Sequence, residues 1–114
     1  MPQPLSGSGQ DVRVFGLTTV RIVGPSMEPA LRNGEVYLAK AAHNVRVVRG
    51  DVVVLVHPQR NELLTVKRLV RRTEDGWWVE GDNPVSSSDS REFGPVPEAN
   101  IRAKILMRLR PLRR

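Results

Sequence analysis

Ser26 and Lys67 are set in surroundings that could give them chemistry. Ser26 lies in Gly24-Pro25-Ser26-Met27-Glu28-Pro29, and Lys67 lies in Leu63-Leu64-Thr65-Val66-Lys67-Arg68, inside a strand-like run. A serine hydroxyl attacks a carbonyl at neutral pH only when a base takes its proton, and a lysine is that base only when burial keeps it neutral. Gly24 permits close backbone approach and Pro25 stiffens the turn before the hydroxyl, which gives a nucleophile the rigid, open position it needs. For Lys67 to be substantially neutral at pH 7 to 8, its pKa must fall about 2 to 3 below the reference near 10.4. The ordinary alternatives are an exposed serine in a turn and a lysine whose ammonium snorkels to water at a sheet edge.

A third segment, Gly81 to Arg91, is a polar loop with four serines and a potential Asp89–Arg91 pair. It is either a solvated loop or the source of a hydroxyl that orients the lysine amine. Composition alone leaves Ser86, Ser87, Ser88 and Ser90 equivalent. A Ser-His-Asp arrangement would need His43 or His57, and neither has a supporting motif.

These residues need a scaffold of strands. Short β-like runs cover Thr18 to Val23, Glu35 to Lys40, Asp51 to His57, Leu63 to Arg72, Trp77 to Glu80 and Ile101 to Leu109. Turn signals such as Asn33-Gly34, Asp75-Gly76 and Gly81-Asp82-Asn83-Pro84 separate them. The spacing predicts a compact all-β barrel or folded sheet, with helical turns only after Pro29 and around Pro97 to Asn100. Val52 to Val56 is apolar on both faces and predicts a central strand covered on both sides. Period 2 puts Thr65, Lys67 and Leu69 on one face of the next strand and Arg68 on the other. One of Trp77 and Trp78 belongs to the core, and the other is free to line a groove.

With 114 residues there is one domain and one core. The absence of cysteine excludes disulfides, thiolate catalysis and sulfur-based zinc sites, and two isolated histidines do not make a metal cluster, so no metal or cofactor is expected. The net charge of +6 is concentrated in Arg108, Arg110, Arg113 and Arg114. Such a tail could touch acidic lipid, nucleic acid or an acidic partner, but a solvated tail is its more frequent meaning. Val12 to Val23 is too short and too charged for a membrane span, and the first ten residues do not read as a signal peptide. A cytoplasmic location is the expectation.

Taken together, three segments in this order resemble the signal peptidase I family of Ser/Lys proteases. They are Gly24 to Leu31, then Gly50-Asp51-Val52-Val53 with Val66-Lys67-Arg68, then Gly81-Asp82-Asn83 through Ser87-Ser88-Asp89-Ser90-Arg91 with Gly94-Pro95-Val96-Pro97. Within that family the chain is most similar to the small nickel-type superoxide dismutase maturation proteases, sharing Phe15-Gly16-Leu17, Gly76-Trp77-Trp78 and a basic end. The resemblance implies a mainly β catalytic core of twisted antiparallel sheets with one or two short helical turns. It implies Ser26 as nucleophile, with its backbone N–H as oxyanion donor, Lys67 as general base and Ser87 as the lysine-orienting hydroxyl. Met27 would lie near the substrate groove, and Gly81, Asp82, Asn83, Asp89 and Arg91 would hold the catalytic loop. Gly24 departs from the hydroxyl residue that many bacterial signal peptidases carry two positions before the nucleophile.

The organisation expected is a flexible lead over 1–11, a Ser/Lys peptidase domain over 12–109 and a basic tail over 110–114. The implied partner is a polypeptide, the nickel superoxide dismutase precursor, whose N-terminal extension would be removed to free the amine and histidine that bind nickel. The nickel belongs to that substrate. No nucleic acid partner is expected. Two alternatives stay open: a signal peptidase-like protease with another substrate, and an inactive basic β-barrel that binds a partner through Trp77 or Trp78 and the arginines. A self-cleaving domain of the SOS-repressor type would use the same chemistry, but Met1 to Val12 offers no small-residue cleavage pair.

Overall fold

The computed structural model describes residues 16–110. The expected lead, the start of the domain and the tail beyond Arg110 lie outside the described residues. Six strands form one antiparallel sheet: β1 (Leu17–Arg21), β2 (Val36–Ala41), β3 (Val52–His57), β4 (Arg60–Thr73), β5 (Gly76–Glu80) and β6 (Ile101–Leu109). Their order across the sheet is β1-β2-β6-β3-β4-β5. All six expected runs are strands, and the mainly β fold is as the sequence implies. Helical structure among the described residues is one short helix, α1 (Ser90–Phe93), and three single 3-10 turns, one of them the expected Glu98–Asn100. The segment after Pro29 is a turn and not a helix.

The continuous apolar run of β3 is explained by its position between β6 and β4, where both faces are covered. Val54 joins Val20, Ile22, Met27 and Ala103 on one side, while Val53 and Leu55 join Leu69, Trp77, Val79 and Val96 on the other. Two cores are thus built from one sheet that folds over itself. Trp77 is the core tryptophan, and Trp78 lies half-buried under the Arg71 guanidinium with its indole N–H given to Glu80. His57, expected at a rim, is instead buried against Phe93, its Nδ1 accepting the Gln59 N–H.

The pairing leaves an opening that matters for the site. From Leu64 to Arg68, β4 pairs with β3 on one side, but β5 joins its other side only from Arg68 onward. At the other end of the sheet, β1 pairs with β2 alone among the described strands. Val20 to Val23 and Leu64 to Val66 line the two sides of one cleft, with Ser26 and Met27 at its end.

Candidate active site

Ser26 is carried on a turn that is tied down on every side. The Glu28 N–H donates to the Pro25 carbonyl at 3.0 Å and the Leu31 N–H to the Met27 carbonyl at 3.0 Å. Met27 is 1% exposed and anchors the turn in the core, while also lining the cleft. Gly24 adopts φ +90°, a conformation glycine favours, and donates its N–H to Asn33 Oδ1 at 2.8 Å. A Cβ at Gly24 would meet open space, so what excludes a hydroxyl residue here is backbone conformation and not crowding. The Ser26 N–H makes no hydrogen bond among the described residues, which leaves it available to an oxyanion.

Lys67 reaches this turn from β4. It is 3% exposed, and its Nζ lies 3.3 Å from Ser26 Oγ and 3.1 Å from Thr65 Oγ1. Burial pushes its pKa below the ordinary lysine value, and the negative charge of Asp89 opposes that shift. Arg68, on the opposite face, turns away to grip Asp82 with two bonds of 2.9 and 2.7 Å, and gives a third to the Gly50 carbonyl. Strand β4 is thereby joined to the Gly81 loop without a second cation entering the site.

That loop is bonded to the Ser26 turn, and the charge of its Asp89 acts on Lys67. Asn83 donates its N–H to the Ser26 carbonyl at 2.9 Å and its Nδ2 to the Pro25 carbonyl at 3.1 Å. Asp89 is 1% exposed and accepts from the Gly81 N–H, Ser87 Oγ, and the Arg91 backbone and guanidinium. Ser87 therefore turns its hydroxyl to Asp89, and the second hydroxyl bonded to Lys67, besides that of Ser26, is that of Thr65. Thr65 carries a signal in the sequence, since period 2 already places it on the Lys67 face, but nothing about an isolated threonine marks it out. If its hydroxyl aims the amine, Thr65→Val should lower kcat about two- to tenfold, the worth of one hydrogen bond, with KM unchanged and Thr65→Ser restoring it.

Gly81 is required by packing. A Cβ there would lie 2.2 Å from Ser87 Oγ and 2.6 Å from the Ser26 carbonyl oxygen. Gly81→Ala must push the loop off the Ser26 turn, so the variant should lose about 1–3 kcal/mol in urea unfolding and about 100-fold in kcat.

A serine hydroxyl beside a buried amine, at the end of an unpaired sheet edge, is an arrangement suited to acyl transfer from an extended peptide. The chain belongs to the peptidase S24-like family, whose model matches residues 11–105. Its relatives include mitochondrial inner membrane protease subunit 1 of Xenopus tropicalis, 34% identical over 78% of this chain and 66% of the relative. Mitochondrial ATP-independent inner membrane protease subunit 1a of Arabidopsis thaliana is 32% identical over 83% of this chain and 71% of its own length. Mitochondrial inner membrane protease subunit 2 of Schizosaccharomyces pombe is 37% identical over 82% and 64%. The chain spans about two thirds of the length of these relatives. Among the described residues no helix is long and apolar enough to cross a membrane.

Proposed function

We propose that this protein is a site-specific endopeptidase with a Ser26/Lys67 dyad, acting on an extended polypeptide. The observation that carries the reading is the 3.3 Å approach of Lys67 Nζ to Ser26 Oγ at the end of the cleft. Neutral Lys67 takes the hydroxyl proton as Ser26 Oγ bonds to the peptide carbonyl carbon. The resulting oxyanion faces the Ser26 N–H. Lys67 returns the proton to the departing amine as the C–N bond breaks, leaving an ester on Ser26. A water then gives its proton to Lys67 and attacks the ester, and the serine leaves with that proton. Thr65 holds the amine in line and so acts as a positioning residue, while Asp82, Asn83, Ser87, Asp89 and Arg91 hold the loop against the turn.

The substrate enters as an added strand between β1 and the open edge of β4, so main-chain hydrogen bonds supply affinity and alternate side chains supply selectivity. The cleft holds about 110 Å³ and its inner wall is Val20, Ile22, Met27, Val54 and Val66, which suits small aliphatic side chains. The preferred substrate is the N-terminal extension of a nickel superoxide dismutase precursor, on the resemblance of the motifs and their spacing, and a cytoplasmic location goes with it. The names of the relatives support proteolysis and do not extend to this substrate.

Mass spectrometry of the metal-free precursor, incubated with wild type, Ser26→Ala and Lys67→Ala, tests both parts. Removal of the extension by wild type alone, with losses on the order of 10⁴ or more in the variants, is the expected result. Cleavage of other small-residue peptides but not of the precursor would retain the dyad and discard the dismutase substrate. Cell fractionation showing the protein in the membrane fraction would overturn the location.

A further inference from the structure

Alternation along β1 gives the cleft wall two faces. Thr18, Val20 and Ile22 turn inward, each 3% exposed or less, whereas Arg21 and Val23 turn outward and Val23 is 78% exposed. Arg21 is the one charged side chain among the described residues that line the cleft, and it is exposed. It has no carboxylate partner among the described residues, whereas Arg68, Arg72, Arg91, Lys104 and Arg108 each have one. A lone guanidinium at the mouth of a cleft whose other described lining side chains are uncharged is placed to read charge on whatever strand is laid beside it.

We infer that Arg21 selects polypeptides bearing an acidic side chain on the outward face of the strand that pairs with β1. The inference rests on the strand-addition reading above and adds the class of sequence recognised. A strand in the cleft must alternate as β1 does, so its inward residues meet Val20, Ile22 and Met27 and its outward residues lie beside Arg21 and Val23. Opposite charges on neighbouring strands attract and like charges repel. Val23 is nearer to Ser26 along the chain than Arg21, so the outward residue closer to the cleaved bond favours an apolar side chain and the next outward residue an acidic one. The inward residues stay small throughout. The overall positive charge would draw any acidic peptide, but without regard to position, and the experiment separates the two effects.

The probes are extended peptides of alternating alanine and threonine, with each threonine in turn replaced by Glu, Gln or Lys. Binding is read by fluorescence anisotropy on Ser26→Ala, which needs no catalysis, and cleavage is read on wild type. At one outward position Glu should be preferred over Lys by about three- to tenfold, the range that a cross-strand charge pair and its reversal span, and high salt should shrink the ratio. Adding Arg21→Glu should invert the order, and Arg102→Gln, which removes an exposed positive charge outside the cleft, should leave it intact. Equal affinities at every position, or a preference for Glu that survives Arg21→Glu, would overturn the inference. A charge-ordered binding series with no cleavage by wild type would keep Arg21 as the selector and discard the protease reading instead.

Discussion

Lys67→Met is expected to give a protein that cleaves nothing and melts higher than wild type. The variant removes the amine bonded to Ser26 Oγ, so activity should fall on the order of 10⁴ or more. The stability gain comes from the same burial that lowers the lysine pKa. Because its folded pKa lies below its unfolded one, the unfolded chain holds more protons between those two values, and stability there rises with pH. The folded site disfavours a charge that the unfolded chain carries freely in water. Methionine fills similar space without that cost, and a gain of about 1–3 kcal/mol follows, raising Tm by roughly 4 °C or more. Thermal unfolding across neutral to alkaline pH measures it: wild type should gain stability with pH and the variant should lack that slope. Cleavage by wild type should rise with pH through the lowered lysine pKa, since the neutral form is the base. A destabilised Met variant at every pH would show that Lys67 is a structural residue.

That exchange of stability for chemistry explains which parts of the molecule are legible in one sequence. The strands are legible because short apolar runs bounded by Asn-Gly, Asp-Gly and Gly-Asp have little choice of structure, and β3 reads as central because both its faces are apolar. The ends of β4 are less so: Arg60 to Glu62 are polar and exposed, and they are strand only because a hairpin joins them to β3. Helix α1 is illegible by propensity, being four residues whose start is fixed by Asp89 accepting the Arg91 N–H. Its cause is the buried network of Asp89, a tertiary fact. Ser26 and Lys67 could be singled out by their flanks, but their approach across forty-one positions depends on how the sheet folds over. The same holds for the choice among hydroxyls. Four serines in the Gly81 loop look alike by composition, and the structure gives the lysine to Thr65, whose only mark was sharing a strand face with it.

The network around Asp89 carries the other large expected effect. Burial alone would raise the Asp89 carboxyl, but hydrogen bonds from the Arg91 side chain, the Gly81 N–H and Ser87 outweigh it and hold the pKa well below the usual carboxylate range. A depressed folded pKa contributes stability that is present above the unfolded value near 3.9 and is lost as pH falls through the folded one. Asp89→Asn removes that contribution and turns an amide N–H₂ toward groups that donate, so the loop loses its anchor. With Arg91 41% exposed and able to rehydrate, the expected loss is about 3 kcal/mol, at the low end for breaking a buried pair. Urea unfolding over acidic pH should show a steep decline in wild type that the variant lacks. Activity should fall as well, because Asn83 holds the Ser26 carbonyl from the same loop. The residual activity carries the finer information. The Asp89 charge raises the Lys67 pKa, so its removal should shift the ascending limb of the surviving cleavage to lower pH even as the amplitude drops. A drop in amplitude with the limb unmoved would mean that Asp89 acts through loop position alone, and its charge does not reach the base.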